Sequence, residues 1–271
     1  MAQPSLPAGV RPLVLASSLW ALGIGLVLPL TLIYLHTVRH IPLRTTGVLL
    51  AIPGVIALVA IPVAGTLVDR VGARWVFAVT LGLIAVAQAL LAVARTSATA
   101  GVALLIMGLA EGPAFPSFNT LLAERAPDPA RQRAFGLNFT LFNAAIGVGA
   151  LLGAAFANIH DPPTFEAMFA GSAAGALAAG VLVAVLPGPA VVGGAHTVGA
   201  GVAGGDGTGE GDGAPEATAP ASGYRQVLAD PLRRRAFWLA LGLAMCGYGA
   251  LESGLPAYAN VVAKLPVRTV A

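Results

Sequence analysis

Apolar residues in this chain run on in stretches of twenty or more, broken by short polar joints. Seven stretches follow one another: Leu13–Leu35, Thr46–Val68, Trp75–Ala94, Ala98–Ala123, Ala134–Asn158, Thr164–Leu186 and Ala236–Asn260. A helix that crosses the hydrocarbon of a bilayer needs ~20 mostly apolar residues. Each stretch meets that length, so the pattern predicts an all-α polytopic membrane protein. The joints between the first six are short, which predicts a compact bundle. Arg11 precedes the first stretch, as it would in a secretory signal. The apolar run there is longer than the ~7–15 residues of a signal, and no small-x-small cleavage site follows. The first stretch is therefore read as a permanent helix.

Composition sharpens this picture. Of the 271 residues, 57% are hydrophobic and only 10% are charged, and the mean hydropathy is +0.83. A soluble domain carries roughly 25% charge, so a soluble enzyme is excluded, as is a disordered chain. The 34 glycines suit close helix packing in lipid. The single cysteine, Cys246, excludes an internal disulfide and a cysteine metal cluster. The basic isoelectric point of about 9.5 is read as topology and not as nucleic-acid binding.

With the N-terminus inside, the inner segments hold Arg11, Arg70, Arg74, Arg125, Arg131, Arg133, Arg225, Arg233, Arg234 and Arg235. The outer segments hold Arg39, Arg44, Arg95, Lys264 and Arg268. Ten against five favours a cytoplasmic N-terminus, although the first outer joint keeps two arginines.

One long break interrupts the series. Residues 188–222 contain eleven glycines, the acids Asp206, Glu210, Asp212 and Glu216, and no Lys or Arg. Such a stretch reads as a flexible linker. Tyr224–Arg235 then mixes apolar and basic residues, which fits either an interfacial helix or a solvated approach to the seventh stretch. The organisation expected is a six-helix transmembrane half at 1–187, a cytoplasmic linker with a basic interfacial segment at 188–235, and one helix of a second half at 236–271.

The joint between the second and third stretches carries the most information: Gly65-Thr-Leu-Val-Asp69-Arg70-Val-Gly72-Ala-Arg74-Trp75. Gly65 and Asp69 lie one turn apart on one helical face. Gly65 allows another helix to approach closely. Asp69 ends the helix at the membrane edge, where an isolated carboxylate is costly unless paired. Gly72 permits a tight reversal, and Arg70 and Arg74 supply inside-positive charge. The plain alternative is an ordinary basic turn with a helix-ending aspartate.

This joint resembles the signature loop of the major facilitator superfamily, Gly-x-x-x-Asp-Arg/Lys-x-Gly-Arg/Lys-Arg/Lys, with Ala73 departing from it at one basic position. Gly23-Ile-Gly25-Leu-Val-Leu-Pro29-Leu30 is similar to the first helix of its drug-efflux members. Arg131–Gly136 leading to Gly147-Val-Gly149-Ala-Leu-Leu-Gly153 is similar to their glycine-rich fifth helix, without the usual Gly-Pro pair. The resemblance implies two six-helix halves around a central cavity, each built of inverted three-helix repeats, that rock to give alternating access. It implies that Asp69 meets the positive end of a helix of the second half and helps hold the inner side shut. Gly149 with Gly153, and Gly171 with Gly175, form small-xxx-small faces read as packing.

Two acids lie inside apolar spans. An ionised acid at the middle of the fourth costs roughly 2.5–3.5 kcal/mol, which makes Glu111 a candidate for proton coupling or for binding a cationic substrate. The alternative is a protonated Glu111 hydrogen-bonded in a packed interface. Glu252, in the seventh stretch, lines the cavity or reaches interfacial water. The arginine that the superfamily often carries in its fourth helix is replaced by Gly108. Gln88, Asn119, Asn138 and Asn143 are read as interhelical hydrogen-bonding groups.

His36 and His40 fall in a joint and give no metal site. No P-loop, nucleophile–base set or cofactor signature is present, so neither ATP drive nor enzymatic chemistry is expected. The function expected is a secondary active transporter in the plasma membrane, exporting small molecules by proton-coupled alternating access. The implied partners are a small-molecule substrate, the proton and the lipid bilayer. The rival is a non-transporting membrane protein: an inactive remnant, a sensor or a scaffold. The chain stops eleven residues after the seventh stretch, so the expectation is either a truncated copy of a longer transporter or a chain that pairs with another.

Overall fold

The computed structural model describes residues 9–126 and 128–187. Expectations that fall on 188–271, including the linker, the seventh stretch Ala236–Asn260 and Glu252, lie outside the described residues. Six helices make up the described part: α1 (Val10–Val38), α2 (Leu43–Val71), α3 (Ala73–Val93), α4 (Ser97–Arg125), α5 (Asp128–Phe156) and α6 (Pro162–Val185). All six are long and apolar enough to cross a membrane. Helices satisfy every backbone N–H and C=O within the segment, which the bilayer core demands.

The apolar ruler sees only the lipid-spanning part of each helix, so several run past it. α5 begins at Asp128, six residues before Ala134, and Arg131 pairs with Asp128 at 3.1 Å on its first turn. α2 continues beyond Asp69 and Arg70 to Val71, so Gly72 and not Asp69 ends it. α4 starts on a reciprocal cap, in which the Thr96 hydroxyl accepts from Thr99 N–H and the Thr99 hydroxyl accepts from Thr96 N–H. That pair satisfies two orphan donors at the helix start.

α1 is continuous but irregular. Pro29 has no N–H to donate, and the helix tightens to a 3₁₀ turn over Leu28–Leu30. The Thr31 hydroxyl donates back to the Val27 carbonyl at 2.8 Å. A π-turn over Tyr34–Val38 closes the helix and turns Tyr34 into the bundle, where it is fully buried.

The packing order is an arc, α2–α4–α3–α6–α1–α5. The principal pairs are α1 with α5, α4 with α2, and α3 with α6. Exchanging α1 with α4, α2 with α5 and α3 with α6 maps this set of pairs onto itself. Successive helices alternate in direction, so the exchange inverts the unit in the membrane, as in an inverted three-helix repeat. α2 and α5 close the two ends of the arc. Only 11% and 17% of their apolar windows are buried, against 44–56% for the other four.

Glycines set the closest crossings. A Cβ on Gly153 would lie 2.6 Å from the Leu26 carbonyl, and one on Gly149 would lie 2.9 Å from Leu26 N. On the opposite pair, a Cβ on Gly108 would meet the Pro53 carbonyl at 2.7 Å, and one on Gly112 would meet Ala60 Cβ at 2.6 Å. Gly171 and Gly175 make only ordinary contacts with α1, 3.5 Å or longer. The close approach of α6 to α1 lies instead at Ser172, whose hydroxyl donates to the Gly23 carbonyl at 3.1 Å.

Candidate functional site

The end of the bundle that carries the α2–α3 joint is held by arginines. Gly72 takes φ +90°, a conformation that side-chain-bearing residues rarely adopt. Its N–H closes α2 on Val68 O at 2.9 Å, and its carbonyl receives Val76 N–H at 3.2 Å to open α3. One residue therefore serves as the whole turn. Gly65, Asp69 and Arg70 are exposed, and a Cβ on Gly65 would meet nothing within 4 Å. The face that bears Gly65 and Asp69 is thus not packed against the described helices. Arg74 points elsewhere. Its guanidinium donates to the Leu186 carbonyl and lies over the Trp75 ring, 4.7 Å from its centroid. Arg125 donates to the adjacent Pro187 carbonyl at 2.7 Å. Two cations therefore cap the C-terminal end of α6, where helix carbonyls favour positive charge.

Glu111 lies on the exposed face of α4. Phe115 follows it by one turn and Asn119 by two, and both are exposed as well. This face leads into a cavity of about 300 Å³ between α4 and α5. The wall is aromatic: Phe115 and Phe118 come from α4, and Phe135, Phe139 and Phe142 from α5. Trp20 of α1 backs it, with ring centroids 5.2 Å from Phe115 and 5.5 Å from Phe142.

Three asparagines punctuate that wall. Asn138 behaves as expected of an interhelical group, since its Oδ1 accepts from the Ser17 hydroxyl at 2.6 Å. Asn119 and Asn143 do not sit between packed helices. Asn119 is exposed in the wall, and among the described residues the exposed Asn143 donates only to its own helix, at Phe139 O, 2.8 Å. Gln88 is buried, and its Oε1 has no hydrogen-bond partner among the described residues.

The other end of the bundle holds a polar cluster that the apolar pattern does not announce. Arg39, in the joint after α1, donates from Nη2 to Glu166 Oε1 at 2.6 Å and from Nε to the Tyr34 hydroxyl at 2.9 Å. Tyr34 in turn donates to the Leu91 carbonyl at the end of α3, at 2.8 Å. Arg95 approaches the same carboxylate at 3.8 Å. The Arg39 side chain is only 7% exposed. Burial by itself would lower its pKa, but the hydrogen bonds to Glu166 and Tyr34 outweigh that, and the guanidinium is held above its ordinary value. The Arg39 charge is thereby paired with the Glu166 carboxylate. The only sequence signal was a cation in the first joint, Arg39, and an acid, Glu166, on the first turns of another span.

The sequence profile of the Major Facilitator Superfamily matches residues 13–271. The chain belongs to that superfamily. It is 27% identical over 147 residues to the quinolone resistance protein NorA of Staphylococcus aureus, a match that covers 54% of this chain and 38% of that protein. It is 26% identical over 151 residues to multidrug resistance protein 1 of Bacillus subtilis, covering 55% and 39%. The matched stretch is thus less than half the length of either relative. A multi-pass membrane protein of a transporter family is established by the profile match and the six apolar helices together.

Proposed function

We propose that this chain belongs to a proton-coupled secondary transporter that exports small, amphipathic compounds across the plasma membrane by alternating access. The observation that carries this reading is the aromatic, asparagine-studded cavity at the exposed face of α4 and α5, with Glu111 one turn from its rim. Aromatic faces supply apolar area at fixed geometry, and a few amide groups suffice to orient a polar edge. A carboxyl at the border of such a wall can hold a proton or a substrate cation, but not both at full strength, which is the elementary requirement for exchange.

In this reading residues 1–187 form the first six-helix half, 188–235 connect it to the second, and 236–271 begin that second half. The N-terminus is cytoplasmic. The exposed faces of α2 and α5 are where the second half packs. Asp69 meets a helix N-terminus there, a contact worth ~0.3–1 kcal/mol, and Gly65 lets that helix approach. Gly72 and Arg74 keep the α2–α3 joint in shape. Gly149 and Gly153 hold α5 against α1 at the back of the cavity wall. Glu252 is a second carboxyl that the other half brings to the pathway.

The test is uptake of a fluorescent amphipathic cation into proteoliposomes of the full-length protein under an imposed pH gradient. Glu111→Gln is expected to lower gradient-driven transport at least tenfold while binding of the compound persists. Undiminished gradient-driven transport in that variant contradicts the proton role.

A further inference from the structure

We propose that the groove between α3 and α6 is a seat for one anionic phospholipid, its acyl chain along the groove and its headgroup phosphate on Arg74 and Arg125. The groove encloses about 260 Å³ and its wall is apolar: Ala78, Val79 and Gly82 face Gly180, Val181 and Ala184. Trp75 closes one end and Leu177 lies toward the other. From Trp75 to Gly82 the helix rises about 10 Å, against roughly 15 Å for the hydrocarbon of one leaflet. The groove therefore runs from headgroup depth toward the middle of the membrane, the path of a single acyl chain.

The charge is at the correct end. Trp75 stands where an aromatic ring marks the interface, and the Arg74 guanidinium lies over it. Arg74 and Arg125 bind the neighbouring carbonyls of Leu186 and Pro187, which brings two cations together just beyond Ala184. Among the described residues no carboxylate lies within ion-pair distance of either, although Glu124 adjoins Arg125 in sequence. Each guanidinium has five N–H donors, so one carbonyl apiece leaves capacity for a phosphate, which arginine recognises in a forked geometry. An apolar slot that ends in two cations matches an anionic amphiphile. The apolar groove lies on α3 and α6, apart from the α4–α5 cavity, while its two cations come from the α2–α3 joint and the end of α4.

Gly82 gives a clean probe. Gly82 lines the groove, and a Cβ there meets nothing within 4 Å, so Gly82→Leu places a side chain in the groove. The full chain in detergent is titrated with phosphatidylglycerol or phosphatidylcholine of identical chains, and bound lipid is counted by native mass spectrometry. Wild type is expected to retain one phosphatidylglycerol with at least a roughly fivefold preference, the ratio that the ~1 kcal/mol of a single arginine near the surface corresponds to. Gly82→Leu is expected to lose that lipid. Arg74→Gln with Arg125→Gln is expected to lose the preference, and the Lys pair to restore it. Equal retention of the two lipids by wild type overturns the proposal, as does undiminished phosphatidylglycerol on Gly82→Leu. So does a dimer that forms in place of a lipid adduct and is abolished by Gly82→Leu.

Discussion

At the scale of single residues, glycine does two different jobs that look alike in the sequence. Gly149 and Gly147 are two positions apart on α5, yet a Cβ on Gly149 meets α1 backbone while one on Gly147 meets nothing within 4 Å. Gly149→Ala is therefore expected to be destabilising by about 2–3 kcal/mol, the scale of overpacking against a surface that cannot yield. Gly147→Ala is expected to be neutral, or stabilising by up to about 1 kcal/mol from helix propensity. Thermal unfolding of the two variants in detergent checks the contrast. The small-xxx-small pattern pointed equally to Gly149/Gly153 and to Gly171/Gly175, because spacing fixes a face but not how a helix is rotated about its axis. At α6 that rotation brings Ser172, and not either glycine, onto Gly23. The asparagines show the same limit: a polar residue in a span is legible, but whether it faces a neighbour or a cavity is not.

Elements are tied together by contacts that join distant stretches of sequence. The π-turn at the end of α1 places Tyr34 and Arg39 where they bridge α3 and α6. Removing one partner of a buried ion pair strands the other charge. Glu166 is 32% exposed, so Glu166→Gln is expected at the low end of such losses, about 2–3 kcal/mol. The double variant Arg39→Met with Glu166→Leu should regain most of that, since apolar replacements of both partners leave no orphan charge. Equal unfolding midpoints for the single and double variants would contradict the tie. The pH sense follows from Arg39. Its folded pKa is raised, so its contribution is complete below the ordinary arginine range and is lost only at far higher pH than any cell meets. The apolar runs made the helices themselves legible, whereas their polar extensions were not: the first turns of α5 carry Asp128, Arg131 and Arg133, which no hydropathy count includes. The Arg39–Glu166 pair spans 127 positions, a distance over which pattern carries no register.

At the scale of the molecule, the six described helices form an arc with the symmetry of an inverted repeat, in which α2 and α5 are the least buried. The fold class was legible because lipid permits few solutions, and the signature joint was legible because Gly72 must turn the chain in one residue. The cavity was not legible, because Phe115 and Phe142 belong to helices whose mutual rotation only packing decides. If Asp69 latches onto a second half, Asp69→Asn should cut transport severalfold, since a loss of ~1 kcal/mol shifts an equilibrium about fivefold. Its membrane insertion and unfolding midpoint should stay at wild-type values. Wild-type rates in that variant would remove the latch.

The central claim is transport, and net flux tests it most directly. Full-length protein in sealed proteoliposomes, given a pH gradient and a fluorescent amphipathic cation, should accumulate that compound against its concentration gradient. A protonophore that collapses the pH gradient should release it. Flux no greater than in protein-free liposomes, with the protein shown to be inserted and folded, would contradict the account.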